Sequence, residues 1–217
     1  MPAKKLIIFP FNGNGIEALD CIDPGAFEFI GFIDDNYAGK QPSAGNWLVS
    51  GRDLLDKHPD AMVLAVPGGP SSYLKRKEYI QSLNIEDSRF ATIIHPSVAR
   101  GVNAGIGKNC LIMAGVVITS NARIGDHVCI LPNSVIHHDS VVGDYSLIGS
   151  GVGIAGGTTV GKNCYIGSGS NLIHGISIGE YSLVGLGSNV IKNFPAHSRI
   201  AGNPAKDIPL KNFTTHG

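Results

Sequence analysis

The segment IGKNCLIMAGVVITSNARI, residues 106–124, places an isoleucine at every sixth position. The same spacing continues as far as residue 190, so fifteen aliphatic residues follow one another six apart. A period of six belongs to neither a helix nor a flat sheet, but the short strands and tight corners of a parallel β-helix produce it. The pattern predicts fifteen short strands, whose inward-pointing side chains are Ile106, Ile112, Ile118, Ile124, Ile130, Ile136, Val142, Ile148, Ile154, Val160, Ile166, Leu172, Ile178, Val184 and Val190.

Small residues and glycines surround these aliphatic positions. The residue two places before is short in most repeats, as at Ala104, Cys110 and Ser134, and the residue after is glycine in eight of the fifteen. We expect the short residue to let the chain turn and the glycine to supply backbone freedom at the bend. A charged residue that follows a glycine recurs eighteen residues apart, so three repeats make one coil and about five coils stack at ~4.8 Å spacing. This charged column is Lys108, Asp126, Asp144, Lys162 and Glu180.

The composition divides the chain into two parts and limits its partners. Of the 29 glycines among 217 residues, nine lie in residues 1–90 and twenty lie beyond. Lys plus Arg equals Asp plus Glu at 17 each, which predicts no nucleic-acid or acidic-membrane partner. No stretch reaches the ~20 apolar residues of a membrane span, and the LIIF run at 6–9 is too short for a secretory segment. We therefore expect a cytoplasmic protein without membrane insertion.

An isolated carboxylate beside two histidines stands out within the repeats. Between Ile106 and Val190 there are seven charged side chains, of which five form the charged column. Asp139 is one of the other two, and it follows His137 and His138 in NSVIHHDS, residues 133–140. A solvated polar corner is one interpretation, and a catalytic site on an otherwise uncharged face is the one that the context favours. Steps of eighteen from His138 predict that His174 lies two coils away on the same edge.

The first ninety residues have the pattern of a small α/β unit. Apolar runs predict strands at 6–9, 27–35 and 61–66, and helical patterns cover 16–22 and 71–84. The turn NGNG at 12–15 could hold phosphate on backbone N–H groups or be an ordinary tight turn. Carboxylates at a strand end, Asp34 and Asp35, suit a base or ribose, with a solvated strand end as the alternative. Basic residues at 75–77 are expected to form a solvated helix face; they are Lys75, Arg76 and Lys77.

Five short motifs carry a family resemblance across nearly the whole chain. They are FPFNGNG at 9–15, GFIDD at 31–35, IIHPS at 93–97, IHHDS at 136–140 and AGNPAK at 201–206. In this order the chain resembles left-handed β-helix acyltransferases, specifically nucleotide-sugar N-acetyltransferases of the PglD and NeuD type. The resemblance implies a Rossmann-like nucleotide-sugar-binding domain at 1–91. It also implies a left-handed parallel β-helix of hexapeptide repeats with a C-terminal tail at 92–217, and homotrimers with active sites between neighbouring β-helices.

The resemblance also assigns roles to residues. It implies that His138 is the catalytic base, that Asp139 holds and polarises it, and that acetyl-coenzyme A is the acyl donor, with no metal. Leu147 stands where the best-studied type has a histidine, and Asn14 where the family often has one. Coenzyme A contacts are implied for Leu147, Ser168 and Leu186, and substrate contacts for Asn12, Gly13, Asn14, Asp34, Asp35 and Gly68.

The expected reaction is transfer of acetyl to the amino group of a nucleotide-linked amino sugar, a 4-amino-4,6-dideoxyhexose, by direct attack on the thioester. Imidazole has a suitable pKa to accept the amine proton. His137 is the rival base, and His174 could contact the pantetheine arm or cap the edge. One alternative function is O-acetylation of a sialic acid or another sugar hydroxyl. Another is a structural or metal-binding β-helix, although the spacing of its histidines does not match. The four cysteines show no CxxC spacing and are expected to be buried free thiols.

Overall fold

The computed structural model describes residues 2–36 and 47–208. An N-terminal α/β unit comes first, and a prism of short parallel strands begins at Ile93. Residues 209–217 of the predicted C-terminal tail lie outside the described residues. Within the described ranges, no helix has both the length and the apolar character needed to cross a membrane.

The N-terminal unit is a four-stranded parallel sheet with short helices. Its strands lie in the order β3 (Val49–Ser50), β2 (Phe27–Ile33), β1 (Lys4–Phe9) and β4 (Met62–Ala65). This is the order of one half of a doubly wound fold. The three predicted strands are confirmed, whereas β3 and α2 had no sequence prediction, and the first helix begins at Gly13 rather than residue 16. The elements are β1 Lys4–Phe9, α1 Gly13–Glu17, a 3-10 turn Ala18–Cys21, β2 Phe27–Ile33, β3 Val49–Ser50, α2 Asp53–Lys57, β4 Met62–Ala65, a 3-10 turn Tyr73–Lys75, α3 Arg76–Gln81 and a 3-10 turn Asp87–Arg89.

The prism has three faces, and in each the strands as far as residue 190 are parallel and eighteen residues apart. Face 1 contains β5 Ile93–Ile94, β8 Leu111–Ile112, β11 Cys129–Ile130, β14 Leu147–Ile148, β17 Tyr165–Ile166, β20 Leu183–Val184, β22 Arg199–Gly202 and the antiparallel β23 Ala205–Asp207. Face 2 contains β6 Ala99–Arg100, β9 Val117–Ile118, β12 Val135–Ile136, β15 Gly153–Ile154, β18 Asn171–Leu172 and β21 Asn189–Val190. Face 3 contains β7 Gly105–Ile106, β10 Arg123–Ile124, β13 Val141–Val142, β16 Thr159–Val160 and β19 Ser177–Ile178.

The aliphatic column fills the prism as predicted, and nearly all its members are buried. The short residues two places before do more than make room at the corners. Ser134 Oγ donates to the Gly149 carbonyl at 2.7 Å, and Ser140 Oγ donates to the Ala155 carbonyl at 2.9 Å. Each hydroxyl therefore satisfies a buried corner carbonyl of the next coil. Cysteine takes the same place at Cys110 and Cys164, and all four cysteines are free and buried, as predicted.

The expected reason for the glycine after each aliphatic residue is wrong. These glycines do not have left-handed backbone angles; they sit where successive coils touch. A Cβ atom on Gly167, for example, would lie 2.5 Å from the backbone nitrogen of Leu186. Close approach between coils, rather than backbone freedom, therefore requires glycine at this position.

A left-handed residue recurs every six residues from Asn103 to Gly187, three places after each aliphatic residue from Ile106 to Val184. Its φ is between 51° and 72°, and its side chain is Asn, Gly, Asp, His or Tyr. Asn, Asp and His tolerate this conformation better than most side chains. The column is Asn103, Asn109, Gly115, Asn121, His127, Asn133, Asp139, Tyr145, Gly151, Gly157, Asn163, Gly169, Gly175, Tyr181 and Gly187.

The N-terminal unit packs on face 1 and on the corner between faces 3 and 1. Outward side chains of face 1, including Leu111 and Cys129, share an apolar cluster with Leu6 and Ile8 of β1. At the corner, Asn109 pairs with the backbone of Ala65: its Oδ1 accepts from the nitrogen at 2.7 Å, and its Nδ2 donates to the oxygen at 2.9 Å. The two units therefore share a buried interface.

Arg76 is fully buried, so the expectation of a solvated face at 75–77 is wrong for this residue. Its guanidinium donates to three backbone carbonyls, those of Pro67, His127 (2.8 Å) and Tyr145 (2.9 Å). None of the described carboxylates pairs with it, and burial lowers its pKa. Lys75 and Lys77 are exposed, as expected. Arg76 therefore joins the end of β4 to two coils of the prism.

Candidate functional site

His138 and Asp139 lie at the corner between faces 2 and 3. Asp139 is the left-handed residue of its repeat, with φ of 58°. The corner is hydrogen-bonded to both neighbouring coils, since the Asp139 nitrogen donates to the Ser120 carbonyl at 3.1 Å and the Gly157 nitrogen donates to the His138 carbonyl at 2.9 Å. The backbone that presents the two side chains is thus held on both sides.

The side chains of His138 and Asp139 form a direct pair. His138 Nδ1 and Asp139 Oδ2 are 2.7 Å apart, and Asn121 Nδ2 donates to Asp139 Oδ1 at 3.0 Å. The hydrogen bond from His138, followed by that from Asn121, lowers the pKa of Asp139. A charged carboxylate can only accept, so Nδ1 carries the proton and Nε2 of the neutral imidazole carries the lone pair. Both side chains are more than half exposed.

The imidazole of His138 lies over Gly156 in the next coil. A Cβ atom on Gly156 would be 2.6 Å from both Cε1 and Nε2 of His138. His174 lies two coils from His138 on the same edge, as predicted, and a Cβ atom on Gly157 would be 3.6 Å from its Cε1. The His137 side chain is exposed and has no hydrogen bond or ion pair within residues 2–36 and 47–208. Of the two adjacent histidines, only His138 therefore has a partner that fixes its tautomer.

A cleft of about 460 Å³ opens at the carboxyl ends of β1, β2 and β4. Open parallel sheets bind ligands at this edge. The cleft brings together four of the six predicted substrate residues, Asn12, Asp34, Asp35 and Gly68, together with Phe9, Pro10, Asn36, Pro67 and Tyr79. Asn14 adjoins it, since its Nδ2 donates to the Gly68 carbonyl at 3.4 Å, and Gly13 is exposed at the start of α1.

Several polar groups of this cleft already have structural partners. Asn12 caps α1, because its Oδ1 accepts from the Gly15 nitrogen at 2.8 Å. Arg52 binds Asp35 with a two-pronged contact at 2.9 and 2.8 Å, which lowers the pKa of Asp35. Asp34 is 6% exposed, and among residues 2–36 and 47–208 its carboxylate accepts from the Asn36 nitrogen at 2.8 Å. Of the two carboxylates, Asp34 therefore has fewer hydrogen-bond partners among the described residues.

The three residues predicted to contact coenzyme A do not lie together. Ser168 and Leu186 are exposed at the corner between faces 1 and 2, in one column with Pro132 and Ser150. Leu147 instead points out of face 1 into the apolar cluster under the N-terminal unit, where it is 2% exposed. This placement argues against the predicted contact between Leu147 and coenzyme A. Sequence spacing places Leu147 on an outward face of the prism, but the N-terminal unit packs against that face and covers the side chain.

A second cleft lies beside that column. It has a volume of about 280 Å³ and is lined by Pro132 and Ser150 on the prism and by Glu17, Asp20 and Cys21 on the N-terminal unit, with His95, Met113 and Ala114 between them. Within the described ranges, no group of three or more His, Cys, Asp or Glu residues could hold a metal ion.

Within one chain, the cleft at the sheet edge and the His138 pair lie on different sides of the prism. The N-terminal unit covers face 1, and the corner between faces 2 and 3 is the one opposite that face. Sequence reasoning identified His138 and Asp139 but assigned no role to Asn121 or to Gly156, which lies in the eighteen-residue column of His138. Asn121 lies eighteen residues before Asp139, and Gly156 lies eighteen residues after His138, so the repeat itself leads to both.

Comparison with known families defines the prism. Residues 103–138, 121–156 and 139–174 match the profile of the family described as bacterial transferase hexapeptide (six repeats). Residues 103–174 of the prism therefore carry the hexapeptide repeat of this profile. The sequence has no significant match among curated proteins.

Solved structures extend the comparison to nearly the whole chain. A histidine-to-asparagine mutant of perosamine N-acetyltransferase from Caulobacter crescentus, in complex with CoA and GDP-perosamine, has a TM-score of 0.81 at 23% identity and covers 96% of this chain and 98% of its own. The acetyltransferase domain of PglB from Neisseria gonorrhoeae, in complex with acetyl coenzyme A, has a TM-score of 0.81 at 23% identity, with coverage of 95% and 100%. WeeI from Acinetobacter baumannii has a TM-score of 0.78 at 22% identity, with coverage of 95% and 100%. The predicted fold, a Rossmann-like unit followed by a left-handed β-helix, is confirmed.

Proposed function

We propose that the protein transfers acetyl from acetyl-coenzyme A to the amino group of a nucleotide-linked amino sugar, a 4-amino-4,6-dideoxyhexose. The observation that carries this proposal is the contact of 2.7 Å between His138 Nδ1 and Asp139 Oδ2, which leaves the lone pair on Nε2 for use as a base. Proteins of the same fold support the two substrates, since one was crystallised with CoA and GDP-perosamine and another with acetyl coenzyme A.

The reaction needs one base and no covalent enzyme intermediate. The sugar nitrogen attacks the thioester carbonyl, an N–C bond forms, and the amine proton passes to Nε2 of His138. Asp139 stabilises the resulting imidazolium through Nδ1. The C–S bond then breaks, and His138 returns the proton to the departing thiolate of coenzyme A. The cysteines do not suit an acyl-enzyme route, because burial raises the pKa of Cys110 and Cys129 to about 12 and of Cys164 to about 11.

The nucleotide is assigned to the cleft at the sheet edge. Asp34 has acceptor capacity for base or ribose donors, whereas Asp35 acts mainly through Arg52. Gly68 lines that cleft, Asn14 donates to its carbonyl, and Gly13 begins α1, and we assign all three to the same substrate site. On this proposal the boundary near residue 91 separates a unit that selects the nucleotide sugar from a prism that carries the base.

Assembly of more than one copy would complete the site. The nucleotide cleft and His138 lie on different sides of one prism, so the base of one copy would serve the cleft of another in the proposed homotrimer. The exposed apolar side chains of the prism support such contacts, since Ile173 is 49% exposed and Ile191 is 55% exposed. Both lie in the same corner column as His137. Coenzyme A would lie along the exposed column that includes Ser168 and Leu186.

A panel of acceptors tests the proposed function. Purified protein is incubated with acetyl-coenzyme A and with 4-amino sugars linked to UDP, dTDP or GDP, with the matching free sugars and with 4-hydroxy analogues. We expect acetylation only of a nucleotide-linked amine, and a rise in melting temperature with that nucleotide. Acetylation of a hydroxyl or of a free sialic acid would instead establish an O-acetyltransferase, and transfer to no acceptor would refute the proposal.

A further inference from the structure

A ladder of polar side chains leads from the neighbouring coils to the His138 pair. Asn103 Nδ2 donates to Asn121 Oδ1 at 3.4 Å, Asn121 Nδ2 donates to Asp139 Oδ1 at 3.0 Å, and Asp139 Oδ2 lies 2.7 Å from His138 Nδ1. The members of the ladder are eighteen residues apart along the left-handed column, so parallel stacking places each amide above the next residue.

We propose that Asn121 is a positioning residue for the base, acting on His138 through Asp139. This inference rests on the proposed function for its effect on rate, whereas its effect on the imidazole can be measured without turnover.

The geometry explains why the amide is needed. The pair is exposed, with side-chain exposures of 58% for His138 and 57% for Asp139, so water competes for both carboxylate oxygens. A bond from Asn121 to Oδ1 opposes rotation of the carboxylate and leaves Oδ2 directed at Nδ1. The φ of Asn121 is 61°, and asparagine is among the few side chains other than glycine that accept this conformation readily.

Few other charges surround the pair. His137 adjoins it in sequence, and His174 lies over Gly157 on the same edge. Arg123, in the strand that follows Asn121, donates to the backbone carbonyls of Asn103 and Ala122. The N-terminal unit packs on face 1 and its corner with face 3, not on this corner. Asn121 is therefore the neutral group that most directly sets the environment of the carboxylate.

Two substitutions separate this role from a purely structural one. Asn121→Gly removes the amide without straining the left-handed backbone, and Asn103→Gly is the matched control, one coil further along the same column with a φ of 57°. We expect Asn121→Gly to lower kcat roughly fivefold with little change in KM for acetyl-coenzyme A, since a hydrogen bond to a charged group is lost at an exposed site. The Asn103→Gly variant loses only the 3.4 Å contact to Asn121, one step further from the base, and should lower kcat by less than about twofold.

Asn121→Asp adds a charge beside the carboxylate and is followed by NMR titration of the histidine ring protons. His138→Gln identifies the resonance of His138. A negative charge at this position should raise the midpoint of the His138 titration. Equal rates for the two glycine variants, or a His138 midpoint unchanged by Asn121→Asp, would overturn the inference. An inactive wild-type enzyme with a shifted midpoint would instead refute the proposed function and leave the positioning contact established.

Discussion

His138 and Asp139 are neighbours in sequence, yet their side chains meet at 2.7 Å between Nδ1 and Oδ2. Adjacent residues of an extended strand point to opposite faces. The left-handed φ of 58° at Asp139 turns the chain at the prism corner and permits the contact. A carboxylate held in this way fixes the tautomer of the imidazole, and on the proposed mechanism Nε2 is the base.

Replacement of the carboxylate by an amide tests this role. Asp139→Asn keeps the size of the side chain and the left-handed backbone but removes the negative charge that stabilises the imidazolium. We expect kcat to fall about 10- to 100-fold, less than on loss of the imidazole itself. Steady-state kinetics give the value, and thermal melting serves as the control for folding. A variant with unchanged kcat would show that Asp139 does not support the base.

Gly156 provides the surface on which the imidazole lies. In Gly156→Ala the new methyl group would be 2.6 Å from Nε2 of His138, so the exposed ring must move away. We expect kcat to fall at least tenfold with little loss of stability, because a mobile side chain relieves the clash. Gly167→Ala is the matched comparison. In that variant the new Cβ atom would contact backbone atoms of the next coil rather than a mobile side chain. The substitution should therefore lower the free energy of unfolding by more than about 2 kcal/mol. Equal effects of the two substitutions on activity would contradict this account of Gly156.

Arg76 stabilises the interface between the two units. Arg76→Met removes the donor to the carbonyls of Pro67, His127 and Tyr145, which are buried in the interface. We expect the free energy of unfolding to fall by about 3 kcal/mol. Lys75→Met, one residue earlier and exposed, should change it by less than about 0.5 kcal/mol. Urea denaturation measures both values, and similar stabilities for the two variants would show that the buried guanidinium contributes nothing.

His127 makes stability depend on pH. Burial lowers its pKa from 6.5 to about 4, and it lies between Tyr145, stacked at 4.6 Å, and Asn109, whose Nδ2 is 3.0 Å from Nδ1. The folded state therefore holds a neutral ring. As pH falls from 6.5 towards 4 the unfolded chain takes up a proton that the folded chain does not, and stability is lost.

His127→Phe should flatten the dependence of the unfolding free energy on pH in that range. His137→Phe, at an exposed site, should have the same slope as the wild-type protein. Denaturant melts at several pH values measure the slope. A His127→Phe variant with the wild-type slope would show that another group is responsible.

Local spacing predicted much of the architecture but not its contacts. The six-residue period is set by the geometry of one coil, so it is legible in a single sequence, and the eighteen-residue step correctly placed His174 on the edge of His138. The burial of Arg76 and Leu147 depends on docking of the N-terminal unit, which no local pattern encodes. A run such as Lys75, Arg76 and Lys77 has the pattern of a solvated helix face until the partner surface is known.

The most direct test of the account is acetyl transfer by His138→Ala beside His137→Ala, with acetyl-coenzyme A and a nucleotide-linked 4-amino sugar, followed by mass spectrometry of the product. We expect His138→Ala to lose at least about 10³-fold in kcat while it keeps its melting temperature and binds coenzyme A. His137→Ala should retain activity within about threefold, because none of the described residues orients that ring. Wild-type turnover by His138→Ala would contradict the assignment of the base.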